Sequence, residues 1–266
     1  MADVIVAGAA GRMGSRIVAL LADAGDLTLA GALEAAGHPA VGRDAGEAAG
    51  IGRAGVAIGS DAAAVITRGR VLVEFTTPEA TLEHLRLVSR TQASAVVGTT
   101  GFSPAQREEI AGLAKSAAIM LSPNMSVGVV LAVKVLATMA RALGDEYDVE
   151  ITEIHHRFKK DAPSGTAQWM AEVVAEALGR DLGKVGVHGR HGLPGERTTK
   201  EIGVFSLRSG DVVGEHTVSF GTLGERIELT HRAHSRDTFG RGALRAARFV
   251  AGRAPGLYSM NDVLGL

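Results

Sequence analysis

The sequence predicts an α/β protein in two parts, an N-terminal domain built on a parallel sheet and a second, α+β domain containing an open mixed sheet. Three observations carry this expectation. Short β-rich apolar runs alternate with helical patterns through the first half, the order of successive βαβ units. A glycine-rich turn joins the first strand to the first helix. Beyond residue 200, three strand-like runs follow one another with only turn residues between them. At 266 residues the chain accommodates two domains. They are expected as 1–125 with 237–266, and 126–236.

In order, Val4–Ala7, Leu27–Leu33, Val71–Phe75, Ala95–Val97 and Ala118–Leu121 read as strands. Met13–Ala24, Glu79–Arg90 and Ala105–Ala117 read as the helices between them. The last has the best-specified start: Ser103 as N-cap, Pro104 at the first helical position and Gln106 closing a capping box. Ala35–Arg70, rich in Ala and Gly, shows no clear period and has room for a loop and one more short element. The apolar stretch Val127–Ala142 is interrupted by Lys134 and Arg141 and falls short of the ~20 residues of a membrane span, so a buried helix is expected over Ser126–Leu143.

The texture then changes. Val149–Ile154 reads as a strand, Thr166–Leu178 as a helix stopped by Gly179, and Arg180–Thr199 as a polar loop. Glu201–Arg208, Val212–Phe220 and Arg226–Ala233 read as a meander on a helix-backed open sheet. A final helix, Thr238–Ala251, is expected to return to the first domain.

Composition narrows the function. With 46% hydrophobic and 21% charged residues the chain is an ordinary globular one. A net charge of -1 provides no global field for nucleic acid or a membrane surface, so any anion site must be a local cluster. There is no cysteine, which removes disulfides, a thiolate nucleophile and cysteine metal ligands, and fits a reducing compartment. The start Met1-Ala2-Asp3 lacks the cationic character of a secretory signal, so a cytoplasmic location is expected.

The first strand runs into Gly8-Ala9-Ala10-Gly11-Arg12-Met13-Gly14 and then a helix, the context of a Rossmann-type dinucleotide turn. Glycines allow the tight turn and close approach of a pyrophosphate to N–H groups at the helix start. Glu34 follows the second strand, where a carboxylate accepts hydrogen bonds from a ribose. The bland alternative is a glycine turn in a chain with 35 glycines, with Glu34 a solvated strand end. Two further loops, Gly98-Thr99-Thr100-Gly101 and Ser122-Pro123-Asn124-Met125, also follow strands and are candidate walls of a nicotinamide site or ordinary βα turns.

The densest chemistry lies in His155-His156-Arg157-Phe158-Lys159-Lys160-Asp161-Ala162-Pro163-Ser164-Gly165-Thr166. It reads as an anion site: cations supply charge and protons, and Ser164-Gly165-Thr166 opens a helix whose N–H groups suit a carboxylate. A solvated loop, with Ser164 only an N-cap, is the competing reading. A metal site is not expected, because adjacent histidines on an extended segment point to opposite faces and no third ligand completes a set. Nor is a serine nucleophile, since no Gly-x-Ser-x-Gly elbow surrounds Ser164.

With both clusters in hand, the sequence resembles the 4-hydroxy-tetrahydrodipicolinate reductase (dihydrodipicolinate reductase) family along its whole length. The resemblance runs through Gly8–Gly14, Glu34, Gly98–Gly101, Ser122–Gly128, Glu153–Thr166, Gly214–Thr217 and Gly224–His231. It implies NAD(P)H-dependent reduction of a small cyclic dicarboxylate on the diaminopimelate route to lysine, by a cytoplasmic homotetramer joined through its second domain. Gly8, Ala9, Ala10, Gly11, Arg12 and Met13 would cradle the pyrophosphate, and Glu34 the adenosine ribose. Gly98, Thr99, Thr100, Ser122, Pro123, Asn124 and Met125 would hold the nicotinamide half. His155 would be the general acid and Lys159 a second proton donor. His156, Lys159, Ser164, Gly165, Thr166 and Thr100 would hold the substrate.

Two departures bear on the cofactor. Relatives often place a basic residue after the ribose-binding acid, whereas Ala35 follows Glu34 here, and Thr77 stands where some carry another. Use of both NADH and NADPH is expected, with Arg12 partly compensating. Two rivals share the glycine turn: another two-domain dehydrogenase, acting on an amino-acid semialdehyde or hydroxy acid, and a dinucleotide sensor without turnover. No basic helix-turn-helix pattern accompanies the latter.

Overall fold

The structure, a computed structural model, describes residues 1–266 and divides into two compact units, Met1–Val127 with Arg236–Leu266, and Gly128–Ser235. Along the first stretch run β1 (Ala2–Ala7), α1 (Gly14–Ala22), β2 (Leu27–Leu33), α2 (Ala45–Ala49), β3 (Ile58–Gly59), α3 (Ala62–Val65), β4 (Val71–Glu74), α4 (Pro78–Thr91), β5 (Ser94–Val97), α5 (Pro104–Leu113) and β6 (Ala118–Leu121). The second unit holds α6 (Val127–Leu143), β7 (Asp148–His155), α7 (Gly165–Ala177), α8 (Leu182–Val185), β8 (Gly186–Val187), β9 (Ile202–Arg208), β10 (Gly214–Thr222) and β11 (Glu225–Ala233). The chain closes with α9 (Asp237–Val250), β12 (Gly256–Tyr258) and α10 (Met260–Leu264), all in the first unit.

The first unit is a seven-stranded sheet in the order β12-β6-β5-β4-β1-β2-β3, with every neighbouring pair parallel. Parallel strands covered on both faces read as unbroken apolar runs, and Val4–Ala7 and Val71–Glu74 are buried along their length. Ile5, Leu72, Leu85, Ile110 and Ile119 form the centre of the core on one side. The capping box at Ser103 and Gln106 forms as the sequence dictates. The helix it opens stops at Leu113 rather than at Ala117, because Lys115 and Ser116 tighten into three-residue turns on Gly112 and Leu113. The unparsed Ala35–Arg70 stretch contains two short helices and a two-residue strand, more elements than its composition revealed.

The helix α9 closes this sheet against α1 and β5 with a face of small residues, Gly240, Gly242, Ala243, Ala246 and Ala247. A Cβ on Gly242 would stand 1.7 Å from the Met125 carbonyl oxygen, so the loop after β6 rests directly on the α9 backbone.

The second unit is a five-stranded mixed sheet in the order β11-β10-β7-β9-β8. Its core joins Val149 and Ile151 of β7, Val218 and Phe220 of β10, and the apolar faces of α6 and α7. The expected meander is not what forms. β9 pairs parallel with β7, and β10 pairs antiparallel with the opposite edge of β7, so only β10 and β11 are a hairpin. The reason is the β7–α7–β9 crossover, which fills one edge of β7 and leaves β10 the other. The short Ser209–Val213 link therefore passes over the end of β7, where Ser209 N–H donates to the His155 carbonyl at 2.8 Å and Arg157 N–H to that of Gly210 at 3.0 Å.

Two other expectations need correction. The Arg180–Thr199 loop contains the α8 turn and the edge strand β8. The helix α6 is not buried all round: Val129, Val133 and Leu136 enter the core, while Leu131 and Val135 stand exposed. With its terminal 3-10 turn the helical run spans 20 residues, long and apolar enough to cross a membrane by length and composition alone, yet its inner face packs on the sheet.

The close approach of α9 makes a prediction. Gly242→Ala should cost about 1–3 kcal/mol as overpacking against a backbone carbonyl and lower Tm. Gly112→Ala, on α5 with nothing within 4 Å of a new Cβ, should hold or raise it. Indistinguishable melting curves for the two variants would show that α9 yields freely.

Candidate active site

In the first unit the sequence-selected residues gather at the carboxyl ends of the parallel strands, the edge where such sheets take ligands. Gly8 adopts φ +68°, and Gly11 N–H closes the turn on the Gly8 carbonyl at 2.9 Å. A Cβ on Gly14 would lie 1.9 Å from that carbonyl, so helix α1 starts hard against the turn only because no side chain intervenes. Ala9 N–H donates to the Leu33 carbonyl at 3.0 Å, and Ala10 N–H to Glu34 Oε1 at 2.9 Å. Glu34 thus braces the glycine turn directly, and Gly11 and Arg12 are exposed above it.

The loops after β5 and β6 meet across a cleft of about 240 Å³ lined by Thr99, Thr100, Gly101, Phe102, Arg107, Leu121 and Pro123. Within the second loop Ser122 Oγ donates to the Asn124 carbonyl at 2.7 Å, and Asn124 Oδ1 accepts from Ser126 N–H at 2.8 Å. Met125 is buried against α9. The glycine turn, an acid at the neighbouring strand end and an adjoining cleft fit an extended dinucleotide.

In the second unit β7 places Glu153 and His155 on one face, two residues apart. Glu153 has no exposed surface. Its Oε2 lies 2.6 Å from His155 Nδ1, its Oε1 accepts Ser164 N–H at 3.1 Å, and Arg208 Nη1 reaches both oxygens at 3.0 and 2.9 Å. Burial alone would raise the Glu153 carboxyl, but hydrogen bonds from His155, Ser206 and Arg208 outweigh it and hold the group below the usual carboxylate range. Since an ionised carboxylate only accepts, the His155 proton stands on Nδ1 and leaves Nε2 open. Burial pushes His155 below its ordinary value against the pull of Glu153, helped by the charges of Lys159 and Arg208.

Lys159 lies on Asp161, its Nζ 2.9 and 2.8 Å from the two carboxylate oxygens. Arg208 Nη2 donates to the Asp161 carbonyl at 2.6 Å, which ties this loop back to β9. His156 is half-buried and its ring leans on exposed Phe158, with centroids 6.3 Å apart. Gly165 is open above, with nothing within 4 Å of where a Cβ would stand, and Thr166 follows in the first turn of α7. Ser164 is buried beneath them: its Oγ accepts Ala167 N–H at 3.1 Å and pairs with His216 Nε2 at 2.9 Å. The structure therefore brings His155, Lys159 and the start of α7 together and leaves Ser164 as their support. A cleft of about 490 Å³, lined by Ala162, Pro163, His188, Val204 and Ser206, borders the same loop.

Glu153, Arg208 and His216 escaped the reading of the sequence as site residues. Glu-x-His on a strand was the available signal for the first, since alternate residues share a face. The other two arrive through strand pairing, Arg208 opposite His155 on β9 and His216 opposite Glu153 on β10.

A dinucleotide turn on a parallel sheet, with a second unit that concentrates an oriented imidazole and a lysine in one loop, defines a two-domain dinucleotide-dependent oxidoreductase. The family comparison is specific. Residues 2–125 match the family described as dihydrodipicolinate reductase, N-terminus, and residues 128–264 match dihydrodipicolinate reductase, C-terminus. The 4-hydroxy-tetrahydrodipicolinate reductase of Geotalea uraniireducens is 54% identical over 266 residues, 100% of both chains. That of Syntrophus aciditrophicus is 53% identical over 265 residues, covering 100% of this chain and 99% of the relative. The dipicolinate-bound dihydrodipicolinate reductase of Paenisporosarcina sp. TG-14 shares the fold, with a TM-score of 0.75 at 24% identity over 97% of each chain. The chain belongs to the dihydrodipicolinate reductase family.

His216 supplies a test of this packing. Burial, and secondarily the charge of His155, drives it from 6.5 to about 3. Between those values the unfolded chain binds the proton and the folded one does not, so this stability is complete above pH 6.5 and is lost as pH falls towards 3. The slope from one such group is at most about 1.4 kcal/mol per pH unit. Denaturant midpoints measured across this range should fall less steeply for His216→Gln than for the wild type. Parallel profiles would mean that His216 takes up its proton without unfolding.

Proposed function

We propose that this chain reduces 4-hydroxy-tetrahydrodipicolinate to tetrahydrodipicolinate at the expense of NADH or NADPH, in the cytoplasm, on the diaminopimelate route to lysine. The observation that carries the reading is 54% identity along the full length of a curated reductase. The geometry supports it: an imidazole fixed by a buried carboxylate, a lysine and a helix start converge on one loop, as a ring with two carboxylates requires. Dipicolinate, which the Paenisporosarcina reductase binds, is a compound of that class.

When bound, the reduced nicotinamide supplies the hydride. Gly8 to Met13 receive the pyrophosphate, Glu34 the adenosine ribose, and the loops at Gly98–Thr100 and Ser122–Met125 the nicotinamide half. His156, Gly165 and Thr166 bind the substrate, and Ser164 acts from below by capping α7. Proton delivery falls to His155 and Lys159. Burial and neighbouring cations keep His155 low, whereas two substrate carboxylates act in the opposite direction and favour the charged imidazole. Glu153 then holds the protonated ring in place through Nδ1 and leaves Nε2 to donate.

The uncovered face of the second unit's sheet, with Thr152, Phe205, Leu207 and Thr217, is the surface on which we place the contacts of a homotetramer. On the cofactor, Glu34 is hydrogen-bonded to Ala10 N–H, and a fixed negative charge there disfavours a 2′-phosphate. Ala35 adds no cation to offset it.

His155→Ala and Lys159→Ala should each lower kcat by at least about tenfold with the fold intact by circular dichroism, the scale of a lost general acid. Near-normal turnover in both removes these roles. Steady-state comparison of the cofactors should give NADH a kcat/KM at least equal to that of NADPH. A preference for NADPH of about a hundredfold or more, roughly 2.7 kcal/mol, is the result that contradicts the reading of Glu34.

A further inference from the structure

A second buried acid, outside the proton-handling loop, lies at the carboxyl end of β4. Glu74 has no exposed surface, and burying a carboxylate is costly unless every oxygen is partnered. Thr76 N–H donates to Oε1 at 3.0 Å, the Thr76 hydroxyl donates to the same oxygen, and His84 Nδ1 lies 2.6 Å from Oε2. One turn away on the same face of α4, the fully buried Thr81 donates from Oγ1 to Thr99 Oγ1 at 2.9 Å. The first turns of α4 thus tie the loop after β4 to the loop after β5.

Both loops adjoin the proposed cofactor track. The Thr76 methyl lies 3.1 Å from where a Cβ on Gly8 would stand, so Thr76 buttresses the glycine turn. The Phe75 ring lies across Gly98, where a Cβ would come within 2.2 Å of it. An apolar cluster would close this end of the sheet without the cost of a buried charge. What the polar ties add is a fixed spacing between three strand-end loops.

We infer that Glu74, His84 and Thr81 are positioning residues that pre-set the dinucleotide groove and act on cofactor affinity rather than on the chemical step. The inference rests on the cofactor reading given above. None of the three lies in the histidine–lysine loop that supplies the proton, so their contribution falls on the ordering that binding otherwise requires.

The test is direct titration of the full-length protein with NADH and NADPH, followed by nicotinamide fluorescence, together with kcat at saturating cofactor and Tm. His84→Ala and Thr81→Val should each raise Kd by about tenfold, the scale of one buried hydrogen bond, with kcat within about threefold. Thr81→Ser, which keeps the hydroxyl, should restore wild-type Kd. If Kd stays within about twofold in both disruptive variants while Tm falls, the ties serve folding alone and the inference is wrong. It is equally wrong if Thr81→Ser behaves as Thr81→Val. A wild-type chain that binds neither cofactor overturns the cofactor reading itself, and this inference with it.

Discussion

The second unit is organised around one constraint: the carboxylate of Glu153 is fully buried and must be hydrogen-bonded on both oxygens. Each partner it takes fixes a different piece of the site. His155 is held by Nδ1, the Ser164 amide sets the start of α7, and Arg208 anchors both β9 and the Asp161 carbonyl. Loss of this carboxylate would leave a guanidinium, an imidazole and a backbone amide without their partner in a poorly solvated place. The loop that carries Lys159 is tied within itself by Lys159 N–H on the His156 carbonyl and by the Lys159–Asp161 pair, and Arg208 joins it to the same anchor.

The topology is bound to the same point. Because β10 takes the free edge of β7, the link from β9 must pass over the end of β7, and its hydrogen bonds fall on His155 and Arg157. A meander would have left that strand end uncovered. It would also have separated His216 from Ser164, whose 2.9 Å contact closes the floor beneath α7.

Much of this was legible in the sequence, and what was missed has a common cause. Strand and helix positions in the first unit follow from local pattern, since β1, β2, β4, β5 and β6 are apolar runs bounded by turns and the Ser103 capping box is written in four residues. The glycine turn, Glu34 and the His155–Thr166 loop were visible for the same reason: their chemistry is contiguous or set by short spacing. Strand order is not local. Nothing near Glu201 or Gly214 records that β7 separates β9 from β10, and so Arg208 and His216 stayed hidden as partners of Glu153 and its neighbours. The Ala35–Arg70 stretch failed differently. Its elements are held by Asp44, which accepts four backbone amides from Gly46, Glu47, Ala54 and Gly55, an anchor no periodicity reveals.

Glu74 and Glu153 show one device used twice. Each is a wholly buried acid near the carboxyl end of a strand, with an imidazole Nδ1 at 2.6 Å on one oxygen and a backbone amide from the following segment on the other. They differ in what completes the shell. Glu74 is finished by a threonine hydroxyl, and its imidazole belongs to the flank of α4. Glu153 is finished by Arg208, which adds to the hydrogen bonds of His155 and Ser206 in holding the carboxyl below its usual range, while burial holds His155 below its own. The Glu153 arrangement holds its imidazole by Nδ1 on an ionised carboxylate and leaves the far nitrogen open, beside the cations of Lys159 and Arg208. The same carboxylate–imidazole pair is therefore completed by a hydroxyl in one unit and by a guanidinium in the other, and only the second brings an arginine to the shared carboxylate.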